Sequence, residues 1–212
     1  MPELHAIICS VDYSDILSVT LPKMRHHFDH VTVVTTPQDI DTIQVACDNQ
    51  AETFKTTLFQ PGFRKYPALE AALEHIGRKG WLCLLDADIV WPHSPTFPEL
   101  NIGYIYGPAC RRILNPVTLP LPDQSTWHSL PIQKNSTREL CGFTQIFHAA
   151  DPHLGHPPWH DISLTHAGAG DSYLARKWPR EHQIRLTFEA LHLGQNGQDW
   201  HGRLSPRLIS ET

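Results

Sequence analysis

The sequence lacks any long apolar run, and it lacks the features of a secretion signal. None of its 212 residues lies in an apolar stretch that approaches the ~20 residues a membrane-spanning helix needs. Residues 1–13 contain no basic segment and no cleavage site, so we expect no signal peptide. A basic amphipathic helix is also missing, so we expect no stable membrane insertion.

Cysteine pairs and positive charge are scarce as well. The five cysteines are widely spaced and odd in number, and no Cys-x-x-Cys pair occurs. This argues against a disulfide framework and a cysteine-built zinc site, and it favours reduced thiols in a cytoplasmic protein. The net charge of −5 argues against a large phosphate footprint on nucleic acid, although a local basic groove around Arg111 and Arg112 stays open.

Strand and helix patterns alternate through the first part of the chain. Apolar or β-branched runs predict strands, and apolar residues at helical spacing predict the segments between them. The patterns predict strands at 4–11, 31–36, 52–59 and 81–85, and helices at 14–27 and 66–76. This alternation predicts an α/β fold with a mostly parallel central sheet flanked by helices.

The alternation weakens after residue 92. Segments rich in proline or histidine predict long loops at 113–138 and 151–168, and loops of this length inside a compact domain are usually functional or mobile. Short elements are predicted at 141–148 (strand), 171–178 (helix with Asp171 as its N-cap) and 184–191 (strand ending at His192). We expect one domain, with a regular half at about 1–92 and a less regular half at about 93–212.

Two acids follow the apolar strand 81–85. Asp86 and Asp88 are separated by one residue, so in extended chain both side chains point to the same side. They lie at the carboxyl end of the strand, which is the edge where open α/β sheets bind ligands. Adjacent carboxylates repel each other unless a cation compensates, and Mg²⁺ or Mn²⁺ shares carboxylate and phosphate oxygens. The pair therefore predicts a metal–diphosphate site.

Several segments together resemble the GT-A glycosyltransferases. The Asp-x-Asp segment LCLLDADIVWP is similar to the metal motif of that family, and GFRKYPALEAAL is similar to the turn and helix before it. The downstream segments GFTQIFH, HAGAGDSYLARKW and FEALHLGQNGQDWHGR are similar to the acceptor-side strand, the catalytic-acid stretch and the C-terminal strand. The tail also resembles β-1,4-galactosyltransferase-like enzymes.

The resemblance implies a single GT-A (Rossmann-like) domain, with a nucleotide-sugar-binding half at about 1–92 and an acceptor-side half at about 93–212. It also implies a role for each matching residue. The metal would be Mn²⁺, or Mg²⁺, and an imidazole among the ligands favours Mn²⁺. The donor would be a nucleotide sugar, with a UDP-sugar as first choice, and the acceptor a glycan, a lipid-linked sugar, a protein or a modified nucleobase. The implied residues are Asp86, Asp88 and His192 for the metal; Asp12, Arg64, Lys65 and Ala87 for the donor; Asp171 as general base of an inverting transfer; and Gly142, Gln145, Gly170 and Trp200 on the acceptor side.

Other interpretations stay open at this point. Asp86 to Val90 also matches the Asp-x-Asp signature of haloacid-dehalogenase-like phosphatases, but that family carries the motif on its first strand. A nucleotidyltransferase shares the layout and the acid pair, but usually has a glycine-rich basic loop after the first strand. A non-catalytic binding module on the same scaffold is a further alternative. Zinc binding by the histidines at 153, 156, 160 and 166 has no standard spacing to support it.

Overall fold

A nine-stranded sheet forms the centre of the computed structural model, which describes residues 2–134, 140, 142–195 and 197–208. The strands are β1 (Leu4–Cys9), β2 (His30–Thr35), β3 (Glu52–Lys55), β4 (Trp81–Asp86), β5 (Ile89–Val90), β6 (Ile105–Leu114), β7 (Ile132–Lys134), β8 (Thr144–His148) and β9 (Gln183–Leu193). The α-helices are α1 (Ser14–Met24), α2 (Ile40–Asp48), α3 (Lys65–His75) and α4 (Gly170–Ala175), and short 3-10 helices lie at Arg25–His27, Gln124–Ser129 and Arg180–His182.

The sheet is mostly parallel. Its order is β3-β2-β1-β4-β8-β6-β9-β5, with β7 paired to the side of β6. The first four strands are parallel, β8 runs against both β4 and β6, and β9 runs parallel to β6. Strands β5 and β7 are antiparallel to their neighbours. The predicted α/β class with a mostly parallel central sheet is confirmed.

Helices cover both faces of the parallel half, which explains the unbroken apolar run of β1. Ala6 and Ile8 pack with Leu17 of α1, whereas Ile7 points to the other face and packs with Leu69 of α3. Each of these residues is at most 2% exposed. Burying a large aliphatic side chain stabilises the folded state by about 1.5–3 kcal/mol. Packing on both faces therefore stabilises β1, whose carboxyl end lies at the edge of the sheet where ligands are expected to bind.

Several predicted bounds are wrong, and each has a physical reason. The third strand ends at Lys55 because turn residues follow it, and the first helix ends as a 3-10 turn after Met24, two residues beyond Pro22. The loop predicted at 113–138 contains the end of β6, a 3-10 helix and β7 as far as Lys134. Its residues 135–138, like Cys141 of the predicted strand 141–148, lie outside the described residues.

Two of the longer elements, α2 and β6, had no counterpart in the sequence patterns. Helix α2 is capped by Asp39, whose Oδ1 accepts the Thr42 N–H at 3.2 Å, but only two of its nine residues are buried. Strand β6 contains Pro108, where its register with β9 shifts. Both elements therefore lack the regular apolar period on which the predictions depend.

The described residues contain no helix that is both long enough and apolar enough to cross a bilayer. Four cysteines have free thiols in this part of the chain: Cys9, Cys83 and Cys110 are buried, and Cys47 is exposed.

Candidate functional site

The Asp-x-Asp segment forms a turn held from three sides. Strand β4 ends at Asp86, and Asp88 lies in the turn before β5. The Asp86 N–H donates to the carbonyl oxygen of Phe143 at 3.1 Å, and the Asp88 carbonyl oxygen accepts the N–H of Leu193 at 2.9 Å. The Ala87 carbonyl oxygen accepts the hydroxyl of Thr20 in α1 at 2.6 Å. Neighbouring strands and a helix thus fix both carboxylates at the edge of the sheet.

This turn forms the floor of a cleft, which we call the central cleft. It opens at the carboxyl ends of β1 and β4, as the parallel arrangement predicts. Seven of the residues implied by the resemblance line it: Lys65, Asp86, Ala87, Asp88, Asp171, His192 and Trp200. Residues far apart in sequence therefore meet at one place.

Asp88 and His192 lie in contact at one end of the central cleft. His192 Nε2 lies 3.4 Å from Asp88 Oδ2, and His192 Nδ1 contacts the Gly194 carbonyl oxygen at 3.0 Å. The strand pairing Ile89–His192 brings the two residues together. Burial alone would raise the pKa of Asp88, but His192 and the nearby Arg111 guanidinium lower it below its usual range. Asp88 is therefore held ionised although it is largely buried.

Lys65 bridges the other two carboxylates. Its Nζ lies 2.7 Å from Asp86 Oδ1 and 3.6 Å from Asp171 Oδ1, and its side chain is only 10% exposed. Burial alone would lower the pKa of Lys65, but Asp171 and Asp86 raise it well above the ordinary value. For Asp86, burial raises the pKa more than Lys65 lowers it. A buried ammonium thus compensates two acids that are distant in sequence.

Two of the implied donor contacts lie outside the central cleft. Asp12 is exposed with a left-handed φ of 57°, and its N–H donates to Asp39 Oδ2 at 2.7 Å. Arg64 Nη2 donates to the Ile162 carbonyl oxygen at 3.2 Å. Neither residue lines the cleft, although their neighbours in sequence do.

Three implied acceptor-side residues lie behind Asp171. A Cβ built on Gly142 would come within 1.7 Å of Asp171 Cγ, and one built on Gly170 would come within 2.2 Å of the Tyr66 ring. The Gln145 amide donates to the Asp171 carbonyl oxygen at 2.9 Å. All three support Asp171 and do not line the cleft.

The structure also adds residues that the sequence patterns did not single out. Tyr13 and Arg203 line the central cleft, with the Arg203 guanidinium 4.8 Å from the centre of the Tyr13 ring. Arg203 Nη2 also pairs with Asp15 Oδ2 at 2.8 Å and fixes the C-terminal segment to the start of α1. Arg111, singled out only as part of a basic groove, is 7% exposed and lines the cleft with its cation over the Phe143 ring. Such contacts between the two ends of the chain leave no local signal in the sequence.

A buried ionic network lies behind the central cleft. Glu70 Oε1 accepts the ring Nδ1 of His160 at 2.6 Å and the N–H groups of Trp159 and His160, and Glu70 Oε2 pairs with Arg78 at 2.8 Å. Burial alone would raise the pKa of Glu70, but His160 and Arg78 lower it below the ordinary value. The network anchors the loop that contains His160 to helix α3.

We expect the Glu70 network to be a source of acid sensitivity. Because the pKa of Glu70 is lower in the folded state, its stabilising effect is complete above the unfolded value, about 4.3, and is lost as the pH falls through the folded value. Glu70→Gln should lower the free energy of unfolding by about 3 kcal/mol at pH 7, since it breaks a buried pair. The difference in the free energy of unfolding between the variant and the unmodified protein should become smaller below pH 4. Urea unfolding at both pH values measures it, with the exposed Glu74→Gln, which also contacts Arg78, as the control.

The described residues contain no group of three His, Cys, Asp or Glu side chains that would hold a metal ion without further ligands. Three of the four histidines considered for zinc have separate contacts: His160 with Glu70, His153 with His182 at 3.2 Å, and His166 with the ring of His201. A metal in the central cleft would therefore share its coordination with a ligand. Magnesium-type sites that take one or two protein carboxylates plus substrate phosphates have this composition.

Comparisons with known proteins support the fold and extend no further. No protein-family model matches the chain, and no curated protein matches it significantly. The solved structure of the inositol-1-phosphate CTP transferase from T. maritima aligns over 91% of this chain and 89% of that one, with a TM-score of 0.50 and 9% identity.

Two further matches are weaker. The glucosyl-3-phosphoglycerate synthase from Mycobacterium tuberculosis, solved with Mn²⁺, uridine diphosphate and glucosyl-3-phosphoglycerate, aligns over 92% of this chain and 73% of that one, with a TM-score of 0.48 and 12% identity. A structure described only as a mycobacterial protein aligns over 43% of this chain and 33% of that one, with a TM-score of 0.35 and 18% identity. The chain thus matches about a third of that protein's length.

The sheet order and the match over most of the T. maritima structure confirm the predicted fold class, an α/β fold with a mostly parallel central sheet flanked by helices.

Proposed function

We propose that this protein is a metal-dependent glycosyltransferase that moves a sugar from a nucleoside-diphosphate sugar to a hydroxyl group. The observation that carries the proposal is the central cleft itself, where Asp88 beside His192 and Asp171 beside Lys65 line one cavity at the carboxyl edge of the sheet. The first pair suits a cation with its diphosphate, and Asp171 suits an acceptor hydroxyl.

The side chains at the Asp88 end fit a divalent cation. Asp88 Oδ1 is buried and has no hydrogen-bond partner among the described residues, which is costly for a carboxylate unless a cation compensates. His192 Nε2 lies near the other oxygen, and a carboxylate with an imidazole suits Mn²⁺. A bound Mn²⁺ would supply Lewis-acid stabilisation of the departing diphosphate. In this proposal Asp88 and His192 bind the metal, and Asp86, already paired with Lys65, contributes less directly.

The Asp171 end suits proton removal. The carboxylate is 23% exposed, so it reaches the cleft, and Lys65 keeps a positive charge beside it. As general base it would take the proton of the acceptor hydroxyl as that oxygen attacks the anomeric carbon, which gives inversion. Trp200 is 43% exposed at the rim, where its ring would contact the acceptor.

A UDP-sugar is the donor we propose to test first. We expect Mn²⁺ to be needed for UDP binding, and a UDP-sugar to give UDP and a sugar-bearing acceptor as products. A thermal-shift panel of nucleoside diphosphates with and without Mn²⁺ identifies the donor class, because a ligand at 100 times its Kd stabilises by about 2.7 kcal/mol. Mass spectrometry of the products then identifies the reaction.

The products separate the competing functions. Release of pyrophosphate from a nucleoside triphosphate and a sugar phosphate would show a nucleotidyltransferase, and phosphate release from an aryl phosphate would show a phosphatase. Binding of UDP and acceptor without any product would show a binding module. Stabilisation by no nucleoside diphosphate, with or without metal, would contradict the proposal.

A further inference from the structure

Gly142 and Gln145 pack closely against Asp171 and restrict its position. Gly142 leaves no room for a side chain, since a Cβ there would lie 1.7 Å from Asp171 Cγ and 1.9 Å from Oδ2. The Gln145 amide holds the Asp171 carbonyl oxygen, and Gln145 itself is fully buried. The carboxylate therefore rests against backbone on one side and is tied to β8 on another.

Tyr66 completes this enclosure. The residue is fully buried, and its hydroxyl accepts the Gly170 N–H at 3.0 Å and donates to the Ala167 carbonyl oxygen at 2.5 Å. The same hydroxyl lies 3.3 Å from Asp171 Oδ1. One phenol thus fixes the backbone turn that leads into α4 and contacts the carboxylate which that turn presents.

The Tyr66 ring has little freedom of its own. It stacks on the His160 ring, with centroids 5.4 Å apart and planes at 19°, and His160 is fixed by Glu70. A side chain added at Gly170 would collide with it. The position of the hydroxyl is therefore set by the buried network behind the cleft.

We infer that Tyr66 is the positioning residue that orients Asp171 for catalysis, an inference that rests on the proposed function. Tyr66 and Lys65 both lie on the Oδ1 side, whereas no hydrogen bond within the described part of the chain reaches Oδ2. Oδ2 takes the proton from the acceptor hydroxyl, whose oxygen bonds to the anomeric carbon. The bond from that carbon to the diphosphate breaks, and its electron pair leaves with the diphosphate.

The first test replaces the hydroxyl alone. Tyr66→Phe should lower kcat roughly 10- to 100-fold, because a displacement near 1 Å at a reacting group has effects of that order. The Kd of UDP with Mn²⁺ should change less than twofold. Tyr106→Phe is the matched control, since Tyr106 is also buried and its hydroxyl also accepts a backbone N–H, that of Asn101 at 2.8 Å. Its kcat should stay unchanged.

A double variant separates positioning from general damage. In an Asp171→Asn background, Tyr66→Phe should lower the residual rate less than twofold, because no carboxylate is left to orient. An equal fold-loss in both backgrounds would overturn the inference. Should Tyr66→Phe fail to fold, Gly142→Ala takes its place, with the same expected fall in kcat and unchanged donor binding.

Crystal structures make the inference testable even if the proposed function is wrong. In Tyr66→Phe we expect the Asp171 carboxylate to leave its single rotamer, whereas Tyr106→Phe should keep it. An unmoved Asp171 in Tyr66→Phe would overturn the inference whatever the activity. Absence of any sugar transfer by the unmodified protein would instead overturn the proposed function.

Discussion

Asp88→Asn is expected to abolish metal-dependent nucleotide binding and to lower kcat/KM by about 10³-fold or more. The amide keeps the shape of the side chain but loses the charge that a divalent cation needs, and a lost metal contribution of several kcal/mol corresponds to a factor of this size. Asp88 carries the buried oxygen that has no hydrogen-bond partner and lies beside His192, whereas Asp86, the other acid of the turn, is already paired with Lys65. Calorimetric titration of UDP with and without Mn²⁺ measures the binding, and initial rates measure the transfer.

The control for Asp88 is another single aspartate. Asp48→Asn removes an equal charge from an exposed position at the end of α2, and it should leave both binding and rate unchanged. If Asp88→Asn kept its Mn²⁺-dependent affinity for UDP, the assignment of Asp88 as metal ligand would be wrong.

Lys65→Met is expected to lower the free energy of unfolding by about 3 kcal/mol and to remove most of the activity. The substitution leaves Asp86 and Asp171 without the ammonium that lies 2.7 Å and 3.6 Å from them, and breaking a buried ion pair on one side typically costs about 3–5 kcal/mol. Urea denaturation without metal measures the stability. Repulsion between the two carboxylates should also displace Asp171 from its place against Gly142.

A second substitution checks the cause of that loss. Lys65→Met combined with Asp86→Asn should recover part of the stability, because one of the two uncompensated charges is gone. Lys23→Met on the exposed side of α1 should change stability by no more than about 0.5 kcal/mol, as surface substitutions usually do. A Lys65→Met protein as stable as the Lys23→Met protein would show that the bridge between the two acids is not needed.

The sequence predicts the strands correctly where both faces of the strand are buried. The unbroken apolar runs of β1 and β4 are visible because helices cover both sides, and helix α3 carries a regular apolar face. Helix α2 was not predicted because most of it is exposed. Strand β6 was not predicted because Pro108 and two arginines interrupt its apolar pattern. Hydrophobic period alone cannot report elements that are stabilised by a cap or by pairing with a distant strand.

In the candidate site, too, a local sequence pattern predicts some of the residues and leaves others unpredicted. Asp86 and Asp88 were visible because a carboxylate pair after a buried strand is a local pattern, and His192 because it ends an alternating one. The Lys65 bridge and the contacts of Tyr66 join residues about a hundred positions apart, so no local pattern carries them. Asp12 and Arg64 show the converse: their neighbours in sequence line the cleft, but their own side chains do not.

The most direct test of the proposed site is a crystal soaked with Mn²⁺ and a UDP-sugar, measured at the manganese absorption edge. We expect one anomalous peak in the central cleft, within coordination distance of an Asp88 oxygen and of His192 Nε2 and shared with diphosphate oxygens. A well-occupied nucleotide with no peak there, or a peak held by other residues, would contradict it.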